Sequence, residues 1–111
     1  MPDGSQTPTC TWTGASGKQY KYWVHPIGTL LKAEPGNYIF AKLNGEGLWE
    51  PVYIGETEDL SSRFDDHHAK SCIVRNGATH VHAHLTYGDR YVRLGEETDL
   101  RSNYRTHCNK Q

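Results

Sequence analysis

Apolar and polar residues alternate with a period of two in five stretches of the chain, and this alternation predicts β-strands. Two stretches surround the break GASG and form a first predicted hairpin, and two more surround the turn sequence NGEG and form a second. The fifth, THVHAHLTY, follows later as a single strand. The predicted strands cover residues 9–14, 18–25, 37–43, 50–56 and 79–87.

A helix is predicted directly after the second hairpin. Thr57 is a residue type that caps helix N-termini, and the acidic pair that follows it suits the positive first turn. Leu60 and Phe64 are four residues apart and would form the buried stripe of a helix that runs to about Ala69.

Two further helices are predicted in the second half of the chain. A short one includes residues 72–74, and a longer one runs from about 89 to 104. Antiparallel strands combined with helices predict an α+β fold, a small antiparallel sheet flanked by helices. With 111 residues the chain is expected to form one domain. Residues 1–34 would be an extension that contains the first hairpin, and residues 35–111 would be the core.

Charge and composition narrow the classes of protein to which the chain can belong. The formal net charge is −1, so no strong positive field marks a nucleic-acid-binding surface. No apolar run approaches the roughly 20 residues that span a bilayer, so no membrane partner is expected. Cys10, Cys72 and Cys108 are odd in number and irregularly spaced, which favours reduced thiols and a cytoplasmic location over a disulfide framework.

The candidate chemistry lies on the second hairpin and on the two longer predicted helices. Tyr38 and Tyr53 fall on paired strands, Arg63 and His67 are four residues apart on one helix face, and Glu97 lies on the last helix. A carboxylate can hold a cation such as Mg²⁺, and a guanidinium pairs with phosphate oxygens. A phenol or an imidazole can deprotonate an attacking water. Together these groups point to phosphodiester cleavage.

The order of these residues resembles the signature of the GIY-YIG endonuclease family. The resemblance rests on GNYIF, on VYIG, on Arg63 ten residues after Tyr53, on EETDL and on a terminal CN, and it spans about residues 35–109. The family fold, a three-stranded antiparallel sheet flanked by helices, agrees with the predicted elements. The resemblance implies a DNA endonuclease that uses Mg²⁺ or Mn²⁺ and leaves 5′-phosphate and 3′-hydroxyl ends.

The resemblance also implies roles for the matching residues. Tyr38 would activate the attacking water, and Tyr53 would orient that water or the scissile phosphate. Arg63 would stabilise the negative charge of the transition state. Glu97 would be the single metal-binding carboxylate.

The remaining matches have supporting roles. His67 falls one turn after the arginine, where family members carry histidine or tyrosine. Asn109 matches an asparagine near the end of the domain, although it could equally cap the last turn. Gly36 and Gly55 would have a structural role in the backbone.

The chain departs from the family pattern at several positions. Asn37 replaces an aliphatic residue, and its side chain is expected to point away from the core. Glu56 stands where several members have lysine, which removes a cation that could help to deprotonate the tyrosine. Thr106 and His107 stand where family members commonly have a proline-containing segment before the asparagine.

Two assignments have a neighbouring residue as the alternative. His67 is favoured over His68 because the helical period places it beside Arg63. Glu97 is favoured over Glu96 because of its position in the motif, and Glu96 would then be a surface charge.

Two other groups of residues have competing interpretations. His80, His82 and His84 would face one side of a strand; a zinc site is less favoured than a polar sheet face near the nucleic-acid groove, because zinc-type paired spacing is missing. The aromatic residues of the first hairpin could stack on bases, but extension of the sheet is favoured. These residues are Trp12, Tyr20, Tyr22 and Trp23.

The sequence therefore predicts a metal-dependent DNA endonuclease. It contains no recognisable module for reading bases, so selectivity would come from the structure of the DNA, from a specificity-providing protein or from a homodimer. The alternative is a catalytically inactive nucleic-acid-binding or interaction module on the same scaffold.

Overall fold

The computed structural model describes residues 7–62 and 64–109. Within these ranges the chain forms five strands, two α-helices and a 3₁₀ turn at Phe64–Asp66. The strands are β1 (Thr9–Thr13), β2 (Gln19–Pro26), β3 (Gly36–Leu43), β4 (Trp49–Thr57) and β5 (His80–Leu85), and the helices are α1 (Lys70–Arg75) and α2 (Arg90–Arg101). The predicted α+β fold class is confirmed.

All five strands form one antiparallel sheet with the order β1-β2-β5-β3-β4. The N-terminal hairpin extends the sheet, because β2 pairs with β5 on the side opposite β3. Ala83 on β5 links the two halves of the sheet, since it lies opposite Trp23 on β2 and opposite Tyr38 on β3.

One face of the sheet packs against α2. Alternating residues of the strands point to this face and are covered by the buried face of the helix, which consists of Arg93, Glu96 and Leu100. Asp89 caps the helix by accepting a hydrogen bond from the backbone N–H of Val92. The buried cluster on this face consists of Trp12, Tyr20, Tyr22, Ile39, Ala41, Ile54 and Leu100.

The opposite face is covered by α1 and by the connection between β2 and β3. This connection must cross β5, because β5 lies between the two strands that it joins. Ile27 and Leu31 of the connection pack against the cluster on this face. That cluster consists of Phe40, Val52, Tyr53, Ile73, Val81 and Cys108.

The helix predicted from Thr57 to Ala69 is wrong. Thr57 is the last residue of β4, and its hydroxyl accepts a hydrogen bond from the backbone N–H of Asp59. The Asp59 carboxylate in turn accepts from the backbone N–H and the hydroxyl of Ser61. Short polar side chains that bond to nearby backbone groups compete with helix formation, and here they produce a series of turns.

The cysteine prediction is also wrong for two of the three thiols. Cys72 on α1 and Cys108 near the C-terminal end form a disulfide, and Cys10 alone is free among the described cysteines. The two cysteines are 36 residues apart in sequence, so spacing could not show that the fold brings them together.

The strand histidines face α2, on the side of the sheet opposite Tyr38 and Tyr53. His82 is fully buried and accepts a hydrogen bond at Nδ1 from Trp12 Nε1 at 3.1 Å. His84 Nδ1 lies 2.9 Å from a carboxylate oxygen of Glu96. The expected polar face near a nucleic-acid groove is therefore wrong for these two residues.

The prediction for Asn37 is wrong as well. Its side chain is fully buried, donates to the backbone oxygen of Arg93 and accepts from the hydroxyl of Thr86. An amide is used here because it joins β3 to α2 through hydrogen bonds in the interior, where an unpaired polar group would be costly.

In the ranges 7–62 and 64–109, neither helix is long and apolar enough to cross a membrane.

Candidate functional site

A cavity of about 1070 Å³ opens beside the sheet face that carries Tyr38, Phe40 and Tyr53. Its walls come from the connection after β2, from β3 and β4, from the turns after β4, and from α2. The polar residues that carry its chemistry are Tyr38, Tyr53, Glu56, His67, His68 and Glu97. Segments that are far apart in sequence thus contribute side chains to a single space.

Tyr38 and Tyr53 are diagonal neighbours on β3 and β4. Tyr38 lies opposite Gly55, and Tyr53 lies opposite Phe40. The two phenol rings are nearly parallel, with their centroids 6.0 Å apart. An extra residue of β4, Val52, shifts the register just after this pair. The sheet register, which the sequence left open, therefore places both phenols on one face.

Gly55 has a packing role between these rings. A Cβ atom at this position would lie 2.6 Å from both Cζ and Oη of Tyr38 and 2.8 Å from Cε1 of Tyr53. No such approach is possible without displacing a ring. Gly55 is therefore needed because a larger residue would overlap the tyrosine rings, in addition to the backbone role expected from the sequence.

The two phenols have different electrostatic surroundings. Burial raises the pKa of Tyr38 well above its ordinary range, with smaller contributions from Tyr53 and Glu97. Burial also raises the pKa of Tyr53, and the neighbouring phenol of Tyr38 acts in the opposite direction. Both groups are therefore neutral phenols at pH 7.

His67 and His68 each contact one of the phenols. His67 Nε2 lies 2.8 Å from the hydroxyl of Tyr38, and His68 Nε2 lies 3.3 Å from the hydroxyl of Tyr53. The two imidazole rings are stacked with centroids 4.6 Å apart. Sequence reasoning treated the two histidines as alternatives, whereas the structure brings both to the cavity.

His67 is held as a neutral imidazole. Its Nδ1 accepts a hydrogen bond of 3.0 Å from the backbone N–H of Ala69. Burial, together with repulsion from His68, lowers the pKa of His67 to about 4. The ring is thus uncharged over the physiological range of pH.

Glu97 and Glu96 lie on different sides of α2. Glu97 lines the cavity, where burial raises the pKa of its carboxyl group and Arg101 partly offsets that effect. Glu96 is not a surface charge, because only 6% of it is exposed and it accepts hydrogen bonds from the hydroxyl of Tyr22 and from His84. Of these two adjacent glutamates, Glu97 lines the cavity and Glu96 does not.

Glu56 also lines the cavity and is paired with cations of α2. Its carboxylate lies 3.0 Å from Nε of Arg93, which is almost fully buried, and 3.8 Å from Nε of the more exposed Arg90. The sequence showed only that a lysine of the family pattern was missing here. The fold supplies two guanidinium groups next to that position, which no local signal could predict.

Asn109 stands against the outer edge of β4. Its Oδ1 accepts from the backbone N–H of Ile54 at 2.7 Å, and its Nδ2 donates to the backbone oxygen of Ile54 at 2.8 Å. The hydroxyl of Thr106 also donates to Oδ1. Asn109 therefore holds the strand between Tyr53 and Gly55 and does not line the cavity.

Arg63 lies outside the described residues, so its predicted place is not described. Its neighbours in sequence, Ser62 and Phe64, both line the cavity.

The cavity wall is strongly acidic. Besides Glu56 and Glu97, the side chains of Asp59, Asp65 and Asp66 line it. Lys70 pairs with Asp65 at 2.9 Å. An anionic substrate in this cavity would meet negative charge, so its binding there requires additional positive charge.

No three His, Cys, Asp or Glu side chains of the described ranges are grouped closely enough to hold a metal ion. The strand histidines therefore give no support to a zinc site, which requires about four such ligands.

No protein family, curated protein or solved structure matches the chain.

Proposed function

We propose that this protein is a divalent-metal-dependent DNA endonuclease that hydrolyses phosphodiester bonds with a tyrosine-activated water. The observation that supports the proposal most is the convergence of Tyr38, Tyr53, His67 and Glu97 on one cavity. The order of motifs in the sequence points to the same four residues, independently of their positions in space. Packing alone does not require two phenols, an imidazole and a carboxylate to share one space.

The residues of the cavity fit Mg²⁺ or Mn²⁺ bound through a single carboxylate. Mg²⁺ commonly uses one or two protein carboxylates and takes its other ligands from water and substrate phosphates. Glu97 is a half-buried carboxylate facing an acidic cavity, where a cation would offset the negative charge. When bound, the metal ion would stabilise negative charge on the phosphoryl and leaving oxygens.

In the proposed mechanism the protein's own residues position the water and remove its proton. Tyr38 would accept a proton from the attacking water while it releases its own hydroxyl proton to solvent in the cavity, and Tyr53 would orient the water or the scissile phosphate. The Arg63 guanidinium would stabilise the extra charge of the transition state. Asn109 would act indirectly, by holding β4 and the tyrosine that it carries.

A single cavity of this kind would cut one strand at a time. Cleavage of both strands would require a second copy of the chain, a partner protein or two successive encounters. Because the net charge is near zero, we expect modest affinity for DNA and a strong dependence on salt.

The experiment that tests the proposal is relaxation of supercoiled plasmid by the purified chain. Nicking with Mg²⁺ or Mn²⁺, absence of nicking with a chelator, and loss of nicking in Glu97→Ala and Arg63→Ala would support it. Glu46→Ala and Arg75→Ala are matched controls, since both side chains are exposed and lie away from the cavity lining. Inactivity of the wild type with every metal, on branched as well as linear DNA, would reject the endonuclease and favour a binding module.

A further inference from the structure

A second cavity, of about 460 Å³, is formed by the end of α2 and the segment that follows it. Its lining residues are Arg101, Tyr104, Arg105, Thr106, His107 and Asn109. Of the described residues, no carboxylate contributes to this lining, although the whole chain contains 13 acidic residues. The wall of the second cavity is therefore basic, in contrast to the acidic wall of the first.

Two of the basic side chains are exposed to solvent and face the second cavity together. Tyr104, Thr106 and Cys108 are half-buried or buried, whereas Arg105 and His107, which alternate with them, are exposed. Both exposed side chains line the cavity. A ligand can therefore reach them without any rearrangement of the core.

The segment that carries these side chains is fixed by several contacts. The hydroxyl of Tyr104 accepts a hydrogen bond of 3.1 Å from the backbone N–H of Thr13. The hydroxyl of Thr106 donates to Oδ1 of Asn109 at 2.6 Å, and Cys108 is held by the disulfide. A segment that is already fixed loses less conformational entropy when a ligand binds to it.

The second cavity begins about one helical turn from the carboxylate of the first. Glu97 lines the first cavity and Arg101 lines the second, and four residues of an α-helix correspond to a rise of about 6 Å. Nη2 of Arg101 donates to the backbone oxygen of Asn109 at 3.0 Å, which fixes the guanidinium at this boundary. Burial raises the pKa of Glu97 and the charge of Arg101 acts against it, in agreement with a short separation.

The chemistry of the second cavity suits a phosphate group. Guanidinium groups pair with phosphate oxygens, and an imidazole N–H can donate to them. Successive phosphates of one DNA strand are about 3.4 Å apart along the helix axis. The rise of about 6 Å between Glu97 and Arg101 therefore matches a step of about one to two nucleotides. The positive charge that the acidic first cavity requires for an anionic substrate is available at this distance.

We propose that the second cavity binds a backbone phosphate of the DNA strand that is cut, about one to two nucleotides from the scissile phosphate. Arg101, Arg105 and His107 supply the contacts. The inference rests on the endonuclease function proposed above and names the part of the substrate that this surface holds. Because a phosphate carries no base identity, the contact positions the strand without sequence preference.

Binding of a fluorescently labelled DNA duplex, followed by anisotropy in the presence of a chelator, tests the site without cleavage. Arg105→Ala is the main probe, because its exposed side chain can be removed without loss of a buried contact. We expect this variant to bind about tenfold more weakly and to lower the slope of log K against log salt by about 1. The double variant Arg105→Ala/His107→Ala should bind more weakly still.

Arg75→Ala is the matched control for charge. It removes the same charge from an exposed position that lines neither cavity. We expect its affinity for DNA to stay within about twofold of the wild type, with an unchanged salt slope. Equal losses in Arg75→Ala and Arg105→Ala would overturn the proposal, because affinity would then follow net charge alone.

A scan with uncharged methylphosphonate linkages locates the contacted phosphate. Neutralising that phosphate should weaken binding of the wild type by about tenfold, and the same linkage should change binding of Arg105→Ala by less than about twofold. The sensitive linkage should lie about one to two nucleotides from the nick that is mapped with Mg²⁺ or Mn²⁺. Additive losses at every linkage, or a sensitive linkage far from the nick, would contradict the assignment.

Binding and cleavage together separate failure of this site from failure of the endonuclease. A wild type that binds DNA through Arg105 but nicks it with no metal would reject the endonuclease and leave the phosphate contact in a binding module. A wild type that nicks while Arg105→Ala keeps its affinity, salt slope and KM would reject the contact alone. Where both proposals hold, we expect Arg105→Ala to raise KM by about tenfold and to keep kcat within about twofold, since the contact is equal in the ground and transition states.

Discussion

The side-chain amide of Asn109 makes both backbone hydrogen bonds of Ile54 on the open edge of β4. Oδ1 accepts from the N–H at 2.7 Å, and Nδ2 donates to the carbonyl oxygen at 2.8 Å. β4 is an edge strand, and the amide satisfies backbone groups that a neighbouring strand would otherwise pair. Ile54 lies between Tyr53 and Gly55, so the contact also holds the residues that shape the cavity.

Asn109→Ala should therefore weaken both the fold and the site. Loss of these hydrogen bonds is expected to lower the free energy of unfolding by about 1–3 kcal/mol, because partly buried backbone groups lose their partners. Urea denaturation measures this change, and nicking should fall with it. Asn103→Ala is a suitable control, since Asn103 also bonds a backbone oxygen but does so at the exposed Thr13 side of the molecule. An unchanged unfolding curve for Asn109→Ala would contradict this assignment.

Gly55→Ala should impair catalysis by displacing the phenols. The added Cβ would lie within 2.8 Å of both tyrosine rings, so at least one ring must move. We expect nicking to fall by about tenfold or more, with a loss of about 1–3 kcal/mol in stability from overpacking. Gly45→Ala is the matched control, because a Cβ there would meet no atom within 4 Å. Equal activity of the two variants would show that the ring positions do not matter.

Substitution of the two adjacent glutamates should affect different properties, nicking activity for Glu97 and stability for Glu96. Glu97→Gln is expected to abolish metal-dependent nicking with little effect on thermal unfolding, because Glu97 lines the cavity. Glu96→Gln is expected to lower stability by about 1–3 kcal/mol, because a buried acceptor of two hydrogen bonds is altered. Calorimetry and plasmid relaxation on both variants check this prediction. The reverse pattern would identify Glu96 as the functional carboxylate.

Reduction of the disulfide should destabilise the protein. The bond between Cys72 and Cys108 closes a loop with a sequence separation of 36 residues, for which chain entropy predicts about 3–4 kcal/mol. We expect the midpoint of urea unfolding to fall in the presence of reductant and in Cys108→Ser. Cys10→Ser is the control, because Cys10 is free and its variant should keep the response to reductant. If reductant leaves the midpoint of urea unfolding of the wild type unchanged, the disulfide is contradicted.

Stability should fall as the pH falls from about 6.5 to about 4, in part because of His82. Burial lowers the pKa of this histidine to about 4 in the folded protein, with smaller contributions from His80 and His25. Between about pH 6.5 and pH 4 the unfolded chain binds more protons than the folded chain, so lowering the pH favours unfolding. Below about pH 4, His82 causes no further change in stability. A shift of this size corresponds to about 3 kcal/mol.

His82→Gln isolates this contribution, because glutamine does not titrate. The difference in unfolding free energy between the wild type and this variant should change by about 3 kcal/mol between pH 7 and pH 4, in the direction that disfavours the wild type at low pH. His67, whose pKa is also lowered, remains in both proteins and cancels in the difference. Parallel pH curves would show that His82 keeps its ordinary pKa.

The strands, the two helices of the second half and the α+β class are predictable from the sequence. Alternation of period two depends on burial of one strand face, and each hairpin connection is a local turn, so these features are visible in short windows. Motif order also selected Tyr38, Tyr53, His67 and Glu97, which the fold brings to one cavity. Local pattern failed at Thr57–Ala69, where bonds from Thr57 and Asp59 side chains to nearby backbone outweighed a weak apolar stripe.

Which of these residues come into contact, and in what geometry, depends on the tertiary fold. The stacking of the two phenols follows from the register of β3 and β4, and the tautomer of His67 follows from its bond to Ala69. Residues that are tens of positions apart are joined by the disulfide, by the ion pair of Glu56 with Arg93 and by the hydrogen bonds of Asn109 to Ile54. Such contacts depend on the packing of whole elements, and no local spacing in the chain specifies them.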